Sequence, residues 1–416
     1  MLVSECILKH GTPALNDVQI TGLVKTQLPS HPDLKVLRPF YQLVRIHGNV
    51  LYSYPHGTPL LSLPFVAILN AAGLSSMDSK EHYYYRGEFW TQKIVASFLM
   101  AGAVCVFFES ASAMLPWYWS MIIAVGAGFG SQIWSTATRS LWSHTWEVFL
   151  AACLVLLLLK REQRSSRWMG PMLATLVSWM YFVRPTGAIT VVAVSIFIVL
   201  CHRDWFSSYA ITGSAWMLGF LIYSLMTFGD WLPDYYRQGS GLHVSGWLDA
   251  FAGSLISPSR GLLVFVPSIF IVLYMVVRHW KAIANLRLAR LAMGITCAQL
   301  IMIAGWPRWW GGASYGPRLF TDVIPWLVVL AIIGLRARLD DVAKTPVGMN
   351  GFIENWLLAA TALVLILLSI AIKGYGAVSI QTRIWNDQVD VDAHPERVWD
   401  WRSPQFLAGL GKYRSG

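Results

Sequence analysis

Long apolar runs constrain the fold of this chain more than any other feature. Ten runs of membrane-helix length are bounded by charges or by Gly and Pro, and only 13 % of the 416 residues are charged. A helix needs about 20 apolar residues to cross the hydrocarbon of a bilayer. The runs cover residues 92–113, 117–137, 143–159, 168–183, 186–201, 207–228, 260–278, 288–305, 319–335 and 356–372. They predict an all-α polytopic membrane helix bundle of about ten spans and exclude an ordinary soluble protein.

Prolines refine this pattern at two places. Arg184 and Pro185 interrupt one long apolar stretch, and because proline ends a helix they predict a turn between two short spans. An eleventh run, residues 57–74, contains Pro59 and Pro64. We expect this run to lie in the membrane interface as a juxtamembrane helix. If it crosses instead, the first 56 residues become cytoplasmic.

Basic residues indicate the orientation of the bundle. Residues 160–168 and 278–290 each carry four Lys or Arg, which is typical of cytoplasmic loops. This orientation predicts an outer N-terminal segment (1–91), a transmembrane bundle (92–372) and an outer C-terminal tail (373–416) of a multi-pass protein of the inner (plasma) membrane. Most of the net charge of +10 lies in the cytoplasmic loops, which favours contact with anionic membrane lipid over nucleic acid.

The start of the sequence lacks an export signal. Residues 1–20 are mixed polar and contain no apolar core of the kind that a signal peptide has. An outer N-terminal segment nevertheless has to be exported. We therefore expect that the chain as given lacks a first membrane helix.

Four groups of polar and aromatic residues lie at the predicted outer ends of the spans. Ionisable side chains there are candidates for function, because such groups are costly within the membrane. The groups occupy residues 52–59, 138–144, 257–261 and 306–318. Their candidate substrate-binding residues are Tyr54, His56, Arg139, His144, Arg260, Trp309, Tyr315 and Arg318, followed by Asp322.

The residue types in these groups suit an anionic or sugar ligand. Arg presents a planar set of donors to phosphate, Trp faces stack on sugar or prenyl groups, and glycine lets the backbone approach a ligand. Each group also has a structural interpretation, as a Pro/Gly turn, a snorkelling Arg beside an interfacial Trp, or an aromatic belt. The turn residue Arg184 has the same two interpretations as Arg139.

Motifs of other enzyme classes are absent from the sequence. There is no Ser/His/Asp order, phosphate-binding loop, dinucleotide-binding fingerprint or metal-ligand spacing, and the five cysteines form no disulfide framework. Acidic residues are scarce on the predicted outer side, so a catalytic carboxylate has few candidates. Asp17 is our choice among them, and its alternative interpretation is a solvated loop acid.

In chain order, six short motifs resemble integral-membrane glycosyltransferases of the GT-C class. They are His10-Gly11-Thr12 with Asp17, Tyr54-Pro55-His56-Gly57-Thr58-Pro59, Arg139-Ser140-Leu141-Trp142-Ser143-His144, Ser257-Pro258-Ser259-Arg260-Gly261, Gly311-Gly312-Ala313-Ser314-Tyr315-Gly316-Pro317-Arg318 and His394-Pro395-Glu396-Arg397-Val398-Trp399-Asp400-Trp401. The resemblance covers nearly the whole chain. It is to bacterial proteins of glycosyltransferase family 39, which are dolichyl-phosphate-mannose mannosyltransferase-like.

The resemblance implies a reaction. A carboxylate deprotonates a hydroxyl of an acceptor glycan, lipid or protein, which attacks the anomeric carbon of a polyprenyl-phosphate-linked sugar on the outer face, with inversion. It implies Arg139, Arg260 and Arg318 as ligands of phosphate or substrate, and His56 and His144 beside Tyr315 as groups that position hydroxyls. Neither a cofactor nor a metal is implied.

The sequence departs from the family pattern at two points. The usual catalytic acid follows the first membrane helix, and Asp17 does not match its position; the lysine that relatives often have near Pro55 is also absent. Two other classes of function stay open. One is a polytopic transporter or lipid flippase, which would favour ionisable residues at the bilayer midplane and an internal repeat. The other is a catalytically degenerate GT-C-like membrane subunit.

Overall fold

A computed structural model describes residues 1–20, 24–28, 31–38, 42–160, 167–237, 246–344 and 349–410. It is 72 % helical with almost no strand, and six helices are long and apolar enough to span a membrane. The prediction of an all-α membrane helix bundle is confirmed at this level. Most of the basic segment at 160–168 and the end of the predicted tail lie outside the described residues.

The N-terminal segment forms a small unit that packs beside the bundle. It begins with α1 (Leu2–His10) and continues into an antiparallel sheet with the order β1 (Val24–Leu28), β2 (His31–Arg38), β3 (Leu43–Ile46) and β4 (Asn49–Tyr52). The apolar face of α1 packs on β3 and β4, where Leu43 and Val50 are buried. The sequence analysis did not predict this sheet.

The run at 57–74 forms two short helices, α2 (Gly57–Leu61) and α3 (Leu63–Ala71), which meet at Ser62. Ser62 is fully buried, and its hydroxyl accepts a hydrogen bond from Trp146 Nε1 at 2.9 Å. Gly57 lies so close to the backbone of Phe182 that a Cβ would come within 2.4 Å of its carbonyl oxygen. These two contacts fix the helix pair against the bundle.

The bundle and tail contain the remaining helices. The first half of the bundle contains α4 (Tyr85–Ser112), α5 (Trp117–Phe129), α6 (Ser143–Lys160), α7 (Met169–Val183), α8 (Ala188–Cys201) and α9 (Arg203–Phe228), with a π-helical turn at Ile133–Ala137. The second half contains α10 (Asp234–Arg237), α11 (Trp247–Ile256), α12 (Leu262–Phe265), α13 (Ile269–Arg278), α14 (Trp280–Ile283), α15 (Arg287–Ala304), α16 (Ile324–Lys344) and α17 (Met349–Val378), before α18 (Gln381–Gln388) in the tail.

Six of the ten predicted runs fall on helices of spanning length, and the other four fall on shorter apolar helices. The run at 117–137 is shortened because α5 ends at Gly130 and the chain then enters the π-helical turn. The run at 260–278 is divided between α12 and α13, since Pro267 lies between them. The predicted turn at Arg184 is confirmed: α7 ends at Val183, and Arg184 is extended, as a residue before proline prefers.

Burial separates central from peripheral helices. The apolar window of the span that contains α16 is 89 % buried and that of α6 is 67 % buried, whereas those of α9 and α17 are only 11 % and 17 % buried. Trp326 of α16 has no exposed surface and lies at the middle of the core. Polar side chains that begin α6 and precede α16 are therefore enclosed by the other helices.

Candidate functional site

Four ionisable side chains meet at the end of the bundle where α6 begins and α7 ends. His144 and Glu147 lie in the first turns of α6, three residues apart and hence on one face. Arg184 lies in the turn after α7, and Asp322 in the 3-10 turn Arg318–Val323 that precedes α16. We call these four residues the buried charge cluster.

The cluster is held by short contacts and excludes water. His144 Nδ1 lies 2.7 Å from Asp322 Oδ1, and Arg184 Nε lies 3.0 Å from Asp322 Oδ2 and 3.6 Å from Glu147 Oε2. The side chains of His144, Glu147 and Asp322 are at most 2 % exposed, and that of Arg184 is 10 % exposed. Because charges at this depth are costly unless paired, the four residues act as one unit.

The contact between His144 and Asp322 determines the tautomer of the imidazole. An ionised carboxylate only accepts hydrogen bonds, so Nδ1 is the protonated nitrogen and donates to Asp322. In the neutral ring, Nε2 then carries the lone pair. A carboxylate that orients an imidazole in this way is a recurrent arrangement for general acid–base catalysis.

Arg184 is oriented by two hydroxyl side chains, one in its own turn and one at the start of α6. Its Nε donates to Thr186 Oγ1 at 2.8 Å and its Nη1 donates to Ser143 Oγ at 3.1 Å. These hydrogen bonds of the described residues use Nε and Nη1, which leaves Nη2 for a ligand. A rigid guanidinium of this kind suits phosphate oxygens.

Glu147 is the member of the cluster that the sequence analysis missed. It is 1 % exposed, and neither carboxylate oxygen receives a hydrogen bond from the described residues. The signal was present, because an acidic residue inside an apolar run of membrane length is a functional candidate in itself. The acids considered from the sequence lie in the predicted outer segments, whereas Glu147 lies inside the predicted span at 143–159.

Two further predicted arginines contact backbone carbonyls of other segments. The guanidinium of Arg318 lies 4.7 Å from the ring centre of Trp142, and its Nη2 donates to the carbonyl of Gly311 at 2.7 Å. Arg139 donates from Nη1 to the carbonyl of Gly376 at 2.9 Å. The structure thus brings four of the predicted residues to this end of the bundle: Arg139, His144, Arg318 and Asp322.

Arg260 has a different environment from the one expected of a substrate ligand. It is 1 % exposed, and all five of its N–H donors bond protein acceptors. These acceptors are Trp310 O, Ser259 O, Gln405 Oε1, Gly312 O and Asn386 Oδ1, at 2.6–3.2 Å. A phosphate could bind only by breaking one of these bonds, so the structure gives Arg260 the role of joining the loop at 306–318 to the tail.

The other predicted residues of that loop are also packed inside. Trp309 is 8 % exposed and lies against Gly253. Tyr315 is 5 % exposed, and its hydroxyl donates to the carbonyl of Ile372 at 2.7 Å.

Asp17 is exposed in the N-terminal unit. Its neighbour Asn16 accepts a hydrogen bond from the backbone N–H of Val50 in β4. The structure therefore does not place Asp17 among the enclosed groups of the cluster.

The structure also contains an aromatic pocket of about 210 Å³. It is lined by the predicted residues Tyr54 and His56, with aromatic and apolar side chains of α2, α7, α9 and α10. These include Leu60, Trp179, Phe182, Trp216, Phe220, Tyr223, Phe228 and Tyr236. Phe182 of the pocket wall lies two residues before Arg184 of the cluster along the chain.

His56 is a buried, neutral element of this wall. Its Nε2 donates to the carbonyl of Tyr52 at 2.9 Å, and its Nδ1 therefore accepts from the hydroxyl of Tyr223 at 2.6 Å. Burial lowers the pKa of His56 from 6.5 to about 4, although the bond to Tyr52 acts in the opposite direction. The pocket is consequently uncharged at neutral pH.

The depressed pKa of His56 predicts acid sensitivity. As the pH falls, the imidazole of His56 is protonated in the unfolded chain before it is protonated in the folded protein. The folded protein therefore keeps its full stability above pH 6.5 and loses stability as the pH falls towards about 4. Between pH 6.5 and about 4, we expect the free energy of unfolding to fall by roughly 3 kcal/mol more in wild type than in His56→Gln. Thermal unfolding of both proteins between these pH values measures the difference. Parallel curves would contradict the assignment of a neutral, buried His56.

Comparisons with known proteins give no assignment: no family model matches the chain, and no curated protein matches it. Within the described ranges, His, Cys, Asp and Glu form no group of three or more that could hold a metal ion. The chemistry of this site is therefore best judged from the buried charge cluster and the aromatic pocket.

Proposed function

We propose that the chain is a membrane glycosyltransferase of the GT-C type, with about ten spans. It transfers a sugar from a polyprenyl-phosphate donor to an acceptor on the outer face of the plasma membrane. The observation that carries this proposal is an aromatic pocket whose wall includes Phe182, two residues before Arg184 of the buried charge cluster. A polyprenyl-phosphate sugar has an apolar chain, an anionic phosphate and a sugar in the same order.

Each part of this substrate has matching groups. The aromatic and apolar walls of the pocket suit the isoprene units nearest the phosphate, since aromatic faces bury apolar surface well. Arg184, which Thr186 and Ser143 orient, takes the phosphate together with Arg318. Such cations stabilise the negative charge that grows on the phosphate as the sugar departs.

The acid–base step is assigned to His144 and Asp322. His144 Nε2 accepts the proton of the acceptor hydroxyl while the oxygen attacks the anomeric carbon. The bond from that carbon to the phosphate oxygen breaks, and polyprenyl phosphate leaves as an anion beside Arg184. Asp322 stabilises the imidazolium through the 2.7 Å contact with Nδ1. A single displacement of this kind inverts the anomeric centre.

The test is a transfer assay on purified protein in liposomes, with labelled polyprenyl-phosphate sugars and cell-envelope acceptors. We expect His144→Ala to lower kcat about 10²- to 10⁴-fold, the range for loss of a general base. His82→Ala is the matched control, because His82 is exposed in the N-terminal unit. Equal rates for His144→Ala and wild type would overturn the base assignment. Movement of labelled lipid across the bilayer without any sugar transfer would favour a flippase instead.

A further inference from the structure

Lys373 is a buried cation that the proposed reaction does not use. It lies in the last turns of α17 and has no exposed surface. Its Nζ has no hydrogen-bond partner among the described residues. An ammonium enclosed in this way costs several kcal/mol unless an anion or a set of acceptors compensates for the lost water.

The rings around Lys373 favour its charged form. Nζ lies 5.0 Å from the ring centre of Phe265 and 5.8 Å from that of Tyr315. The faces of aromatic rings carry partial negative charge and attract an ammonium by about 0.5–2 kcal/mol. This gain is smaller than the cost of burial, so Lys373 keeps its charge only with a further negative partner. In the described part of the chain, no carboxylate forms an ion pair with it.

The neighbouring element supplies polar groups. The π-helical turn packs along α17, where Trp134 contacts Gly374. Ser135 Oγ and Thr136 Oγ1 of this turn are buried and have no hydrogen-bond partner among the described residues. A serine or threonine hydroxyl can donate to an anion as readily as it accepts from a donor. Lys373 and the two uncommitted hydroxyls therefore belong to two elements that pack against each other.

We propose that Lys373 binds a small inorganic anion of the chloride class, buried between α17, the π-helical turn and the rings of Phe265 and Tyr315. Size decides the class, because the residue is completely enclosed and a phosphate ester would need an opening to the surface. The anion neutralises the ammonium and fixes α17, which has few other buried contacts along its length. This site is independent of the proposed transfer reaction.

The experiment measures thermal unfolding of the full-length protein in detergent, with chloride replaced by gluconate at constant ionic strength. We expect the Tm of wild type to rise by ~4 °C, saturably, as chloride increases from one to about 100 times its Kd. Bromide should replace chloride with a similar shift. Lys373→Met should show no halide dependence, and Lys344→Met, at the exposed end of α16, should behave as wild type.

Two results would overturn the proposal. The first is a wild-type Tm that is the same in chloride and gluconate. This measurement uses wild type alone, so it remains decisive even if Lys373→Met fails to fold. The second is an equal halide shift in wild type and Lys373→Met, since the ion would then bind elsewhere. A bromide signal at Lys373 in anomalous diffraction would support the site directly.

Discussion

Replacing Arg184 with Met is expected to destabilise the protein by about 3–5 kcal/mol, since it leaves two carboxylates buried without their cation. Asp322 Oδ2 would lose its contact at 3.0 Å and Glu147 Oε2 its contact at 3.6 Å. Thermal unfolding in detergent, followed by tryptophan fluorescence, measures the change. Arg308→Met is the matched control, because Arg308 is 73 % exposed and its ion pair should contribute little.

A second substitution makes this prediction specific. Adding Glu147→Gln to Arg184→Met removes one of the two carboxyl groups left without their cation, so we expect part of the lost stability to return. The free energies of the single and double variants form a cycle, whose non-additivity measures the coupling of the two side chains. Additive effects would contradict a coupled cluster, and an unchanged Tm in Arg184→Met would show that the carboxylates have other partners.

Replacing Arg260 with Met is expected to cost about 2–4 kcal/mol and to release the tail, because five acceptors lose their donor together. Four of the five acceptors lie in the loop after α15 and in the tail, including Gln405 and Asn386. Arg260→Lys keeps the charge but has no planar set of donors, so it should recover only a small part of the stability that Arg260→Met loses. Thermal unfolding and limited proteolysis of residues 381–410 measure the two effects.

The same variant distinguishes the structural role of Arg260 from the expectation that it binds phosphate. A structural role predicts lower stability and a protease-sensitive tail, with Arg383→Met unchanged because Arg383 is 69 % exposed. A phosphate ligand predicts normal stability with a raised KM for the donor. The second outcome would restore the sequence-based interpretation.

The comparison of Arg260 with Arg184 shows where prediction from the sequence ends. Both are arginines beside Pro and Gly at helix ends, and a motif cannot tell a guanidinium that bonds only backbone and amide oxygens from one that lies between buried carboxyl groups. The difference depends on Gln405, which lies 145 residues from Arg260 along the chain. His144 and Asp322 are likewise 178 residues apart, so each could be nominated but their pairing could not.

Local patterns in the sequence determined the class of the protein. Apolar runs give the positions of the membrane helices, because each segment in a bilayer has to satisfy its backbone hydrogen bonds internally. The turn at Arg184 follows from Pro185 for the same local reason. The tertiary structure decided which polar residues share a buried space: it joined Glu147 to the charge cluster, enclosed Lys373 and turned Arg260 into a structural link. These outcomes depend on packing between distant segments, whose partners no local pattern specifies.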